Sequence, residues 1–144
     1  MLTLAQAQAA VQGAHIHAGQ AGMAPLCVVA LDGGGHVLAI QRHEQASLYR
    51  IDIATAKAHG CIGMGMGGRE IARRAAAMPN LYAVFNEVSP GGLVPVPGGV
   101  LIKDQDGAII GAIGISGDTA DNDEAAALAG LAAAGLIADT GVSG

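Results

Sequence analysis

Between Leu26 and Arg42 the chain runs apolar, turns on four residues and runs apolar again, and this stretch limits the fold more than any other. Leu26–Leu31 is a continuous apolar run, consistent with a buried strand. Asp32-Gly33-Gly34-Gly35 is a turn of the kind that joins antiparallel strands. His36–Arg42 then alternates as a second strand, with Val37 and Ala39 opposite Leu38 and Ile40. A hairpin with an apolar first strand needs helices or further strands around it. The rest of the sequence supplies both.

Residues 3–20 read as a helix, with Leu4, Ala7, Val11, Ala14 and Ala18 forming one apolar stripe, Thr3 as N-cap, and Gly22 and Pro25 as the stop. Ser47–Ile62 reads as a second helix, with Ile51, Ala54, Ala58 and Ile62 on one side, broken by Gly63–Gly68. Arg69–Met78 is a short helix ended by Pro79, and Asn80–Val88 is helical or irregular. Pro95 and Pro97 restrict Leu93–Ile102 to a sheet edge or to separate short strands. A second hairpin is expected from Val100–Lys103 and Ala108–Ile115 around the turn Gln105-Asp106-Gly107. The last helix is expected from Thr119 to about Ala138, with Asp121-x-x-Glu124 as its capping box. No internal repeat or linker interrupts this order, so residues 1–144 read as one domain.

Composition narrows the function classes. Aromatic residues make up only 2% of the chain, and the formal net charge is -5. Arg69, Arg73 and Arg74 are the densest basic group, and they share one helix. Nucleic-acid binding needs basic density and usually aromatic stacking surfaces, so that class is excluded. Cys27 and Cys61 lie far apart without a CxxC, which reads as two buried reduced thiols. The uncharged run Ala125–Ala138 is shorter than the roughly 20 residues of a membrane span. No targeting segment is visible, and the expectation is a cytoplasmic protein.

Several segments carry a more specific pattern: Val29-Ala30-Leu31-Asp32-x-Gly34-Gly35-His36, Ile53-Ala54-Thr55-Ala56-Lys57-Ala58, Gly63-Met64-Gly65-Met66-Gly67, Val94-Pro95-Val96-Pro97-Gly98-Gly99-Val100, Gly111-Ala112-Ile113-Gly114-Ile115-Ser116-Gly117 and Asn122-Asp123-Glu124. In order and spacing over roughly residues 4–138 they resemble the GlcG/HbpS-like haem-degrading-domain family, which includes the C-terminal domain of PduO-type proteins. The resemblance implies an α+β fold: a mixed, largely antiparallel sheet of about five strands flanked by helices, similar to profilin. It implies a homo-oligomer, with hexamer and octamer both allowed. It implies two functions: haem binding linked to haem degradation or iron sensing, or a role beside small organic acids such as glycolate. Family membership alone names no reaction.

If haem is the cofactor, a ligand must be found among the histidines. His15 falls at the edge of the apolar stripe of the first helix, and His17 points about 100° from its centre. Residues i and i+2 do not face each other on a helix, so the two cannot chelate one metal together. Either can serve as a single axial haem ligand. His17 suits a site at an oligomer interface and His15 a buried one. His36, His43 and His59 match no zinc spacing, and no metal site is expected; a joint site from His43 and Glu44 has no further support. Gly63, Gly65 and Gly68 satisfy GxGxxG in form, but the run follows a helix rather than a strand, which argues against a dinucleotide. Its amides could still meet a small anion at the start of the next helix.

The organic-acid reading rests on Arg50, Lys57, Asp123 and Glu124. Arg50 and Lys57 lie on nearly the same side of the central helix. Asp123 and Glu124 open the last helix, where its dipole favours negative charge. One reading of the group is capping plus a salt bridge. The other is a polar pocket in which Lys57 or Arg50 holds a small carboxylate and Asp123 or Glu124 acts as acid or base.

Overall fold

The computed structural model describes residues 1–141. The chain forms α1 (Leu4–Ala21), β1 (Cys27–Asp32), β2 (Val37–Arg42), α2 (Arg50–Met64), α3 (Gly68–Ala77), α4 (Pro79–Val88), β3 (Gly99–Lys103), β4 (Ile109–Ser116), α5 (Ala120–Ala133) and β5 (Ile137–Asp139). The strands make a five-stranded sheet in the order β2-β1-β4-β3-β5, and every pairing is antiparallel. This is the α+β class that the sequence pattern predicts.

Both expected hairpins form. Asp32 closes the first turn with its own side chain: one carboxylate oxygen accepts the backbone N–H groups of Gly34 and His36, both at 2.9 Å. Those bonds hold the carboxyl below the usual carboxylate range. β1 and β4 are central and buried. Val28 and Ala30, with Val100, Ile102, Ile113 and Ile115, face α1 and α5. Cys27, Val29 and Leu31, with Leu101 and Ala112, face α2 and its neighbours. The alternation of strand side chains therefore builds two cores, one on each side of one sheet.

Helix α1 begins as expected: Thr3 accepts the N–H of Gln6, and the Gln6 side chain accepts that of Thr3. On the other face α2 sits unusually close to the sheet. A Cβ at Gly99 would lie 2.5 Å from the carbonyl oxygen of Lys57, and one at Gly114 would overlap the backbone of Ala54 and Ala58. These two glycines are register partners on β3 and β4. Their missing side chains form the seat of α2.

Three expectations are corrected. The last helix stops at Ala133 instead of continuing to Ala138. Gly135, at φ 70°, reverses the chain, and Ile137–Asp139 then pairs with the open edge of β3, where Lys103 and Asp139 form an ion pair at 2.6 Å. The N-cap of that helix is Thr119, whose hydroxyl accepts the N–H of Asn122; the Asp121/Glu124 capping box does not form, because both carboxylates turn to Arg69. Finally, Pro95 and Pro97 lie in neither an edge nor a short strand. Strand β3 starts only at Gly99, after both prolines. The segment from 80 to 88 is helical, with Pro79 in the first turn where its missing N–H costs nothing.

Candidate functional site

The charged residues singled out in the sequence divide into two groups. Lys57 is buried beneath the last turn of β4. Its Nζ donates to the carbonyl oxygen of Ile115 at 2.9 Å and to Oδ2 of Asp123 at 3.1 Å. Asp123 is equally buried, and its other oxygen accepts the backbone N–H of Asp118 at 2.9 Å. Burial pushes the Lys57 ammonium down from its ordinary pKa and pushes the Asp123 carboxyl up; each partner offsets part of the other's shift. Arg50, two turns before Lys57 on α2, donates to Ser116 Oγ at 3.1 Å. Its positive charge lowers Lys57 further. Among the described residues Arg50 forms no ion pair. The cluster therefore holds two cations and one buried anion.

Glu124 does not join that cluster. It receives Arg69 Nε at 3.0 Å and a second guanidinium nitrogen also at 3.0 Å, while Asp121 receives Arg69 at 2.6 Å. These bonds hold the charge on Arg69 more firmly than usual. Arg69 and Ser116 are the two partners that the sequence does not single out for this site. Arg69 is 55 residues from Glu124, and no local pattern links them.

The N-terminal end of α3 is also engaged. The Arg69 amide donates to the carbonyl of Thr140 at 3.2 Å, and a Cβ at Gly67 would overlap that residue. The Arg69 amide at the start of α3 is thus taken by the returning chain and is not open to an anion.

The histidines of α1 differ in one decisive respect. His15 Nε2 lies 2.9 Å from the carbonyl oxygen of Gln41 on β2. A carbonyl only accepts, so Nε2 must carry the proton and donate. The donating Nε2 is closed to a metal, and the same tautomer leaves the ring's lone pair on Nδ1. His17 is half-buried and makes no hydrogen bond or ion pair within the described residues. Its chain neighbour Ile16 is 53% exposed. An open cleft of about 560 Å³ runs past His15 between Ile40, Gln41, Arg42 and His43. His43 Nδ1 accepts the Gln45 N–H at 3.1 Å, which leaves Glu44 a looser contact at 3.6 Å. Among the described residues no group of three or more His, Cys, Asp or Glu side chains could hold a metal ion. Among the described residues no helix is long and apolar enough to cross a membrane.

Comparison with known proteins agrees with this architecture. Residues 2–132 match the model of a family described as haem-degrading protein HbpS-like. The crystal structure of HbpS superposes with a TM-score of 0.79 at 30% identity, covering 91% of this chain and 88% of that one. The crystal structure of a PduOC–heme complex superposes with a TM-score of 0.83 at 25% identity, covering 94% and 96%. A 15.0 kDa protein from the dhaT–dhaS intergenic region of Citrobacter freundii is 29% identical over 122 residues, covering 85% of this chain and 84% of that one. On the family match and the shared fold together, the chain belongs to the HbpS-like haem-degrading family.

Proposed function

We propose that this chain is a cytoplasmic haem-binding protein of the haem-degrading type that works as a homo-oligomer, with His17 of α1 supplying the axial nitrogen. The observation that carries this reading is the contrast on α1. His15 spends Nε2 on the Gln41 carbonyl and keeps only Nδ1, whereas both ring nitrogens of His17 are unengaged within the described residues. A relative of known structure in complex with heme supports the same reading. The residues fit the group in one respect: an imidazole that no other group within the described residues occupies. When bound, haem would supply iron-centred redox chemistry. The chain's own part is to present the nitrogen and exclude water. A flat macrocycle on a half-buried His17 would need a cover, and on this reading a second copy within a hexamer or octamer supplies it.

Titrating the purified apo-protein with haemin tests this. A Soret shift is expected, with axial ligation lost in His17→Ala and kept in His15→Ala. No shift in the parent protein, or unchanged spectra in His17→Ala, refutes it. Sedimentation should show an assembly larger than a dimer, and a stable monomer at micromolar concentration would count against the interface.

A second reading has one specific observation in its favour. Arg50 is a half-buried guanidinium without an anionic partner, next to a lysine that already has one. A small organic acid from a catabolic pathway would supply the missing negative charge, with Arg50 as its contact, Lys57 and Asp123 as the charged floor, and Glu124 bracing the helix from the side through Arg69. Loss of glycolate binding in Arg50→Gln at unchanged stability would favour it. Equal glycolate titrations of both proteins would dismiss it.

A further inference from the structure

Where α2 meets α4, a cavity of about 250 Å³ is lined by Met64, Phe85, Val88 and Leu93, with His59 and Ser89 as its polar side chains. Helices α1 and α2 pack on opposite faces of the sheet, so this cavity is remote from His17. The Ser89 hydroxyl is committed: it donates to the carbonyl oxygen of Phe85 at 2.6 Å. His59 is not. Its ring makes no hydrogen bond or ion pair, although it is partly withdrawn from water.

The ring is also held in place. It lies so close to the backbone of Gly91 that a Cβ there would overlap it, and its Cδ2 is 3.5 Å from the Cβ position of Gly35 in the first hairpin turn. Two separate loops thus pin an imidazole that has no partner of its own. Neither ring nitrogen is sealed from solvent, so water satisfies the ring until a ligand takes its place. An apolar pocket with one convergent polar group is the usual form of a small-molecule site.

The lining restricts the occupant. No Lys, Arg, Asp or Glu borders the cavity, so a charged ligand would lose its hydration without a countercharge. A neutral imidazole offers one donor and one acceptor, which suits a carbonyl or a hydroxyl equally. Since a cavity of about 150 Å³ accommodates benzene, this one takes about ten non-hydrogen atoms, far fewer than haem. We propose that this cavity binds an uncharged, mostly apolar molecule carrying one hydroxyl or carbonyl that pairs with His59.

The test uses the full-length ¹⁵N-labelled protein titrated with p-cresol and with toluene, which differ by a single hydroxyl. Saturable shifts of the Gly60, Gly63 and Leu93 amides are expected with p-cresol, and about tenfold weaker binding with toluene, the worth of one hydrogen bond. His59→Leu should bring the two affinities together. Gly63→Met should abolish both, because Gly63 borders the cavity and a Cβ there meets no atom within 4 Å, leaving the fold intact. Absence of shifts at these amides with either probe overturns the site. Equal affinity of the two probes for the parent protein overturns the role of His59.

Discussion

Replacing Lys57 with Met removes the ammonium that faces Asp123 and keeps a side chain of similar reach. Lys57 is 5% exposed and Asp123 1%, so the orphaned carboxylate cannot turn to water. Breaking a buried pair in this way costs about 3–5 kcal/mol, because desolvation of the remaining charge is no longer offset. For a chain of this size that corresponds to a melting point lower by roughly 10–17 °C. The loss has a pH signature. Burial already raises the Asp123 carboxyl above its ordinary 3.8, and removing Lys57 takes away a charge that was lowering it. The folded variant then holds a proton that the unfolded chain has released. Its stability contribution is present below the unfolded pKa and is lost as pH rises through the folded one. The deficit of Lys57→Met should therefore be smallest near about pH 4 and grow toward neutrality. Adding Asp123→Asn removes the buried charge and keeps an acceptor for the Asp118 amide, so the double variant should recover most of the loss. Urea unfolding followed by circular dichroism from pH 4 to 8 measures all three proteins. A cost below about 1 kcal/mol at neutral pH, or a double variant as weak as the sum of the singles, refutes the buried-pair account.

Three further outcomes follow from the structure. Burial pushes the Cys27 thiol from 9.0 up to about 11 and the Cys61 thiol up to about 12. Unfolded thiols lose their protons first, so stability should fall as pH climbs from about 9 toward 11, less steeply in Cys61→Ala, and neither thiol should react with iodoacetamide at neutral pH before unfolding. Thr119→Ala should cost about 0.5–2 kcal/mol as the loss of an N-cap, whereas exposed Asp121→Ala should cost less than about 1 kcal/mol, and the reverse order in thermal unfolding would restore Asp121 as the cap. Gly114→Val should fail to fold or unfold at far lower urea, since its side chain must displace the backbone of Ala54 and Ala58; near-parental stability would mean that α2 is not seated on the sheet.

The parts of the fold that are legible in the sequence are those set by near neighbours. Thr3 as N-cap, the Asp32 turn and the Gly22 stop act over a few residues, and each forms where its spacing places it, whereas α2 runs on through Gly63 to Met64. Strand β5 is not legible, because an Ala- and Leu-rich run continues past Ala133 and only Gly135 and the open edge of β3 end the helix. The capping box misleads for a related reason: Asp121-x-x-Glu124 has the right spacing, but a guanidinium from another helix outcompetes the backbone for both carboxylates. The candidate site is half legible. Lys57 stands out inside an apolar stretch and Asp123 lies in the acidic opening of α5, yet their pairing spans 66 residues and depends on α2 lying against β4. His59 gives no sequence signal, since Gly35 and Gly91 reach it only in three dimensions.

The glycine seat formed by Gly99 and Gly114 also has a mechanical consequence. Helix α2 meets the sheet backbone to backbone, without long side chains between them to change rotamer and absorb a displacement. The helix can then neither roll nor slide by a fraction of a turn without collision. Arg50, Lys57 and His59 all stand on this stiff rail, so their mutual spacing should survive changes of temperature or assembly that loosen the surrounding loops.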